Sequence, residues 1–270
     1  MAISAMCPGY LTGIFWIGEG DAAGAGFAID KLMRTDVSEK KGGRATIMIN
    51  NVENAAPVSK SVLRKYFGLG CKPGLLEIKH STEVPIGFGL GMSAAGALSL
   101  SLSLNELLGA GFSRKECVKI AHDAEVECGT GLSGVDAAAV GGALARRSLN
   151  EQPFALPFDE RELEIAFFTP IKTADVTKSA EWKKKVNDAG KKALDALDRE
   201  RTWDMFLSAA RQFSQQSGLA GWCAPEMAAN PRASMAMLGH TLFSDSPLAL
   251  AHKPFMLLKA KVAQEGAKLL

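Results

Sequence analysis

The sequence predicts an α+β fold in two domains, and three observations lead to it. Runs of strand character alternate with segments of helical periodicity along the chain. A stretch with linker character, Asn150 to Pro157, divides it near residue 155, into 1–155 and 156–270. With 270 residues, 47% of them hydrophobic, the chain can bury a sizeable core.

In chain order, Leu11 to Ile17 and Thr46 to Val52 read as strands, with Gly24-Ala25-Gly26 expected as a turn between them. Pro57 to Phe67 reads as a short helix and Leu75 to His80 as a strand. From Pro85 to Gly91, glycine and proline interrupt any helix; a helical pattern starts at Ser93 and runs to about Leu108, closed by Gly109. Ser113 and Glu116 form a capping box, each side chain satisfying a free backbone N–H. The helix they open should reach about Cys128, with Cys117, Ala121, Ala124 and Cys128 as its apolar stripe. Gly141-Gly142 leads into a strand ending at Arg146-Arg147. Past the linker come a strand from Leu163 to Phe168 and helices from about Lys178 to Arg199 and from Thr202 to Ser217, the last closed by Gly218. Ser234 to Ser244 and Leu257 to Val262 read as strand or turn segments.

Composition narrows the function. Lys and Arg total 31 against 29 for Asp and Glu, a net charge of +2, which argues against a nucleic-acid-binding protein. Five dispersed cysteines without a CxxC read as reduced, small buried residues of a cytoplasmic protein. Met1 to Gly18 is apolar but lacks the positive start of a signal peptide and carries Pro8-Gly9 early. Val84 to Asn105 is uncharged, yet its helical part is shorter than the roughly 20 residues a membrane span needs. Both read as core, and no membrane partner is expected.

The sharpest chemical signal is Pro85-Ile86-Gly87-Phe88-Gly89-Leu90-Gly91-Met92-Ser93-Ala94-Ala95. A glycine-rich loop entering a helix exposes several backbone N–H groups at the positive end of the helix dipole, which suits a phosphate. No lysine follows the glycines, so this is not a Walker-type loop. His122 and Glu125 share one helix face but lie off the apolar stripe, a placement that on its own fits solvated residues. Thr130 to Asp136 is a second small-residue loop ending in an acid, which on its own could be a helix cap. A hydroxyl-directed kinase needs a phosphate cradle, hard-oxygen Mg²⁺ ligands and a carboxylate near the acceptor hydroxyl. Ser93, Glu125 and Asp136 could supply the protein's share.

Pro85 to Ala95 resembles the phosphate-binding motif of the GHMP small-molecule kinases. Gly131 to Asp136 resembles their acidic loop, and Cys7-Pro8-Gly9-Tyr10-Leu11-Thr12-Gly13 their first motif. Within that superfamily the chain is most similar to the archaeal pantoate kinases. That likeness rests on Ala121-His122-Asp123-Ala124-Glu125-Val126, Pro170-Ile171-Lys172-Thr173 and Ser234-Met235-Ala236-Met237-Leu238-Gly239, among others, and spans residues 7 to 244. The resemblance implies a first half like domain 2 of ribosomal protein S5 and a ferredoxin-like second half. It implies transfer of the ATP γ-phosphate to the primary hydroxyl of pantoate, giving 4-phosphopantoate for coenzyme A synthesis. Pro85, Gly87, Gly89, Leu90, Gly91, Met92, Ser93 and Ala94 would hold ATP. Ser93 and Glu125 would hold Mg²⁺, with Asp136 the catalytic acid/base. His122, Arg146 and Thr173 match positions that hold the hydroxy acid, and a guanidinium suits its carboxylate. Arg146 and Arg147 are neighbours on a strand, so only one can face the site. Tyr10 stands where relatives carry Lys or His, Ala22 where they carry Ser, and the acidic loop is longer than in pantoate kinases. A mevalonate- or homoserine-type kinase and a non-catalytic metabolite-binding relative stay open as alternatives. Oligomeric state also stays open, a homodimer being the candidate assembly.

Overall fold

In the computed structural model, residues 2–19, 21–71, 74–131, 134–158, 161–171 and 180–270 are described. The chain opens on a long hairpin. Strand β1 (Ala2–Ile17) pairs antiparallel with β2 (Ala22–Lys40) along nearly its whole length. Register shifts interrupt the pairing at Pro8/Gly9 and at Thr12/Ile14; the first falls beside Pro8, which has no N–H for the ladder. β2 is long enough to take two further partners. Its second half pairs with β5 (Leu75–Ser81), and Gly24 to Phe27 pair with β6 (Ala143–Arg146).

The full order is β12-β1-β2-β5-β3-β4, with β3 (Thr46–Ile49), β4 (Val52–Glu53) and β12 (Lys268–Leu269), while β6 joins β2 to β7 (Phe154–Ala155). Helix α2 (Met92–Leu107) packs on β1 and β2. Against it lie α3 (Arg114–Cys128), α4 (Gly134–Val140) and α1 (Pro57–Gly68). The α2 helix is apolar on all sides and buried through most of its length, as expected of a central helix.

A second sheet, β11-β8-β10-β9, is built from β8 (Leu163–Thr169), β9 (Ser234–Met235), β10 (His240–Ser244) and β11 (Met256–Ala260). Helices α5 (Ala180–Arg199) and α6 (Trp203–Gln216) pack on β1, followed by a 3-10 turn (Leu219–Cys223) and α7 (Ala224–Ala229). Contact is close at two glycines: a Cβ on Gly190 would sit 2.2 Å from the Phe15 carbonyl oxygen, and one on Gly13 would meet the Phe206 ring at 2.9 Å. Phe27 of the first sheet meets Trp203 and Phe206 of α6 and Phe243 of the second sheet edge-on, at 5.3, 5.9 and 5.5 Å. Each such pair adds about 1 kcal/mol beyond its buried area, so the two sheets share an aromatic joint.

Three expectations are corrected. Gly24-Ala25-Gly26 is strand, not turn; the chain reverses between Ile17 and Ala22. These glycines serve close approach instead, since a Cβ on Gly26 would lie 2.2 Å from the Leu11 carbonyl oxygen. The expected linker carries β7, which pairs with β6. Among the cysteines, Cys71 and Cys128 are only half-buried. The apolar N-terminal segment is β1, and no helix among the described residues is long and apolar enough to cross a membrane.

Candidate active site

The loop from Pro85 to Gly91 has no regular structure because its glycines adopt left-handed dihedrals: φ is +91° at Gly87, +85° at Gly89 and +63° at Gly91. Hydrogen bonds to its carbonyls fix it from three directions. Tyr10 N–H donates to the Leu90 carbonyl (2.9 Å), Ile171 N–H to that of Gly87 (3.1 Å), and the Thr241 hydroxyl to that of Phe88 (2.8 Å). Leu90, Phe88 and Met92 are buried beneath it, so the loop is anchored by apolar side chains while its glycine backbone faces a cleft. Gly91 is the N-cap of α2 and no side chain caps that end. The amides of the first turn have no intrahelical acceptor, and the helix dipole adds positive potential at the same place. All eight residues expected around a phosphate, Pro85, Gly87, Gly89, Leu90, Gly91, Met92, Ser93 and Ala94, line this one cleft.

Helix α3 supplies the next groups. Its capping box is formed as expected, the Ser113 hydroxyl accepting from Glu116 N–H while the Glu116 carboxylate accepts from Ser113 N–H at 2.8 Å. Glu125 is not solvated, contrary to its position off the apolar stripe; it is 2% exposed. α2 covers it, and the Ser93 hydroxyl donates to its Oε1 at 2.5 Å. Gly131 leaves it room, since a Cβ there would lie 2.8 Å from Glu125 Oε2. Burial pushes the Glu125 carboxyl up, and the Ser93 bond only partly opposes this. No Lys or Arg among the described residues lies within ion-pair distance of it, so the pocket holds an uncompensated carboxylate beside a hydroxyl. Two hard oxygens in that setting suit a divalent cation that completes its shell with phosphate and water. No cluster of three or more His, Cys, Asp or Glu side chains able to cage a metal occurs among the described residues.

Asp136 lies in the first turn of α4, with His122 Nδ1 at 3.9 Å and Arg146 Nη2 at 3.7 Å from its Oδ2. Helix α3, helix α4 and strand β6 thus bring three charged or titratable side chains together. The His122 Nδ1 is buried and has no hydrogen-bond partner among the described residues. Arg147 faces away and pairs with Asp195 (2.9 Å) and Asp198 (2.7 Å) on α5, as strand alternation requires. Thr173 and Lys172 lie outside the described residues.

Two adjoining cavities result. The first holds the glycine loop, Ser93 and Glu125; the second holds Asp136 and Arg146; Tyr10, Thr12 and His122 line both. Sequence reasoning did not single out Thr12, Met237 and Leu238 as site residues. Met237 N–H donates to the Thr12 carbonyl at 2.9 Å, which brings the second half of the chain over the first cavity. Their only signal was membership of the motif runs. Tyr10 is buried, and its hydroxyl reaches toward the Leu144 carbonyl at 3.4 Å.

Residues 50–143 match the model of the GHMP kinases N-terminal domain. The chain is 30% identical to a pantoate kinase of Methanocaldococcus jannaschii, over 93% of this chain and 96% of that protein. The chain belongs to the pantoate kinase family. A second family member, from Methanospirillum hungatei, is 27% identical over 90% of this chain and 86% of its own length. The fold agrees with that of a solved phosphotransferase related to the coenzyme A biosynthesis pathway, with TM-score 0.82, 22% identity, and 100% and 99% of the two chains covered. A homoserine kinase from Cytophaga hutchinsonii shares the fold at TM-score 0.64 and 18% identity, covering 100% and 97%. The pantoate kinase family therefore sits on a scaffold that kinases of other small molecules also use.

Proposed function

We propose that this chain transfers the γ-phosphate of ATP to the primary hydroxyl of pantoate, giving 4-phosphopantoate on the way to coenzyme A. The observation that carries the reading is the junction of the two cavities. An amide-lined anion cradle with a buried carboxylate–hydroxyl pair opens on one side of Thr12 and His122, and a carboxylate–guanidinium pair opens on the other.

The first-turn amides of α2 and the glycine backbone receive the triphosphate, with no basic side chain required. Ser93 and Glu125 would hold Mg²⁺, which when bound neutralises charge building on the phosphate oxygens. Asp136 accepts the proton of the acceptor hydroxyl as the new O–P bond forms and the bond to the ADP oxygen breaks; the proton then passes to water. Arg146, with a side chain only 18% exposed, receives the substrate carboxylate through its two-pronged donor edge. His122 lines both cavities beside Asp136 and has a ring nitrogen without a hydrogen-bond partner among the described residues, so it can turn to a substrate oxygen.

The test is ADP release with Mg²⁺-ATP across a panel of hydroxy acids. Turnover is expected with pantoate. Turnover with mevalonate or homoserine and none with pantoate would reassign the substrate, and tight ATP binding without any product would make the chain a binding protein.

A further inference from the structure

Arg146 is the last paired residue of β6, opposite Gly24, and no hydrogen bond among the described residues holds its guanidinium. Beyond its long ion pair with Asp136 at 3.7 Å, its position depends on how the backbone past it is held. Past Arg147 the chain leaves the sheet, and a single carboxylate oxygen takes over. Asp21 Oδ1 accepts from Leu149 N–H at 2.7 Å and from the Ser148 hydroxyl at 3.0 Å, and also from Ala22 N–H at 2.8 Å. The Ser148 oxygen in turn accepts from Asn150 N–H at 3.1 Å. The Asp21 carbonyl accepts from Gly18 N–H at 2.8 Å to close the reversal between β1 and β2, and its side chain fastens the end of β6 to that reversal.

We infer that Asp21 is a positioning residue that sets the acid-substrate subsite by clamping the segment just after Arg146 to the β1–β2 reversal. The inference rests on the reading that Arg146 receives the substrate carboxylate. Two further observations agree with it. Leu149 N–H, followed by Ser148 and Ala22, holds the Asp21 carboxyl below the usual carboxylate range, so the clamp stays charged at neutral pH. Ala22 and Ala23, directly after Asp21, line the first cavity, while Leu149 lines the second. Ala22 and Ala23 stay paired to Ile17 and Trp16 in the β1–β2 ladder, whereas the chain after Arg146 has left its ladder, so loss of the clamp moves the Arg146 side of the junction and spares the first cavity.

The experiment is steady-state kinetics with ATP and the acid varied separately, on Asp21→Ala, Asp21→Asn, Arg146→Ala and the Asp21→Ala/Arg146→Ala double variant. Thermal melts confirm folding of each. Asp21→Ala should raise KM for the acid roughly tenfold, because up to three charge-assisted bonds vanish together, and leave KM for ATP within about twofold. Asp21→Asn keeps an acceptor oxygen and should stay within roughly threefold of the parent. In the Arg146→Ala background, Asp21→Ala should add less than about a twofold effect, since the two act through one contact. If Asp21→Ala does not fold, Ser148→Ala removes one donor and should raise the acid KM roughly threefold. An Arg146→Ala effect with none from Asp21→Ala or Ser148→Ala overturns the clamp and spares the subsite. No effect from Arg146→Ala overturns the subsite and the clamp together. Equal rises in both KM values for Asp21→Ala would make the residue a general structural turn and defeat the proposal.

Discussion

Both ends of helix α2 carry a left-handed glycine, and only one of them faces the cleft. Gly91 (φ +63°) caps its N-terminus and Gly109 (φ +55°) follows its C-terminus. Alanine in that conformation costs about 1–2 kcal/mol, partly offset by a gain of about 0.4–1 kcal/mol from restricting the unfolded chain. At Gly109 nothing lies within 4 Å of a new Cβ, so Gly109→Ala should cost about 1 kcal/mol and lower Tm by about 2–4 °C. At Gly91 the Cβ would lie 2.8 Å from the Tyr10 carbonyl oxygen and 3.2 Å from its nitrogen. Both are backbone atoms of β1, so the loop must move, adding about 1–3 kcal/mol. Gly91→Ala should therefore cost about 2–4 kcal/mol. The displacement also misaligns the amides proposed to hold phosphate, and losing one charge-assisted bond should weaken ATP binding roughly 10- to 100-fold. Calorimetric titration with a non-hydrolysable ATP analogue, beside thermal melts, reads both quantities. Wild-type affinity in Gly91→Ala would refute the cradle, and an equal loss of affinity in Gly109→Ala would show that the effect is general destabilisation.

Asp136→Asn should lower kcat by a factor of about 10² or more with little change in ATP affinity, and normal turnover would reduce Asp136 to a helix residue. Gly239→Ala should destabilise by about 3 kcal/mol or more and raise KM for ATP, because its Cβ would fall 2.1 Å from the Phe88 carbonyl oxygen in the glycine loop; unchanged melting would contradict this. His80 is buried behind α2, its Nδ1 bonded to the Thr35 hydroxyl (2.8 Å) and its Nε2 to that of Ser59 (3.0 Å), and burial lowers its pKa from 6.5 to about 4. Between these values the unfolded chain binds a proton that the folded one refuses, so stability falls as pH drops, by about 3 kcal/mol on reaching pH 4. Urea unfolding should show that slope reduced in His80→Gln; identical slopes would sink the assignment.

Local features were legible in the sequence. The capping box of Ser113 and Glu116, the start of α2 after the glycine loop and the opposed faces of Arg146 and Arg147 depend on bonds and periodicities spanning a few residues. Gly24 and Gly26 misled because a glycine that admits a crossing backbone looks the same in sequence as one that turns the chain. Only the approach of the Ile14 carbonyl to Gly24 and of the Leu11 carbonyl to Gly26 separates the two.

By itself, the sequence determined where a glycine-loop backbone and an uncapped helix N-terminus would expose their amides, because glycine dihedrals and helix termini are local properties of the chain. Tertiary structure alone decided that Glu125 is buried, that Arg146 and His122 converge on Asp136, and that Met237 closes over Thr12. Each of those contacts joins separate elements, most of them far apart in the chain. Their partners are selected by packing around β1 and α2, a condition that no short window of sequence contains.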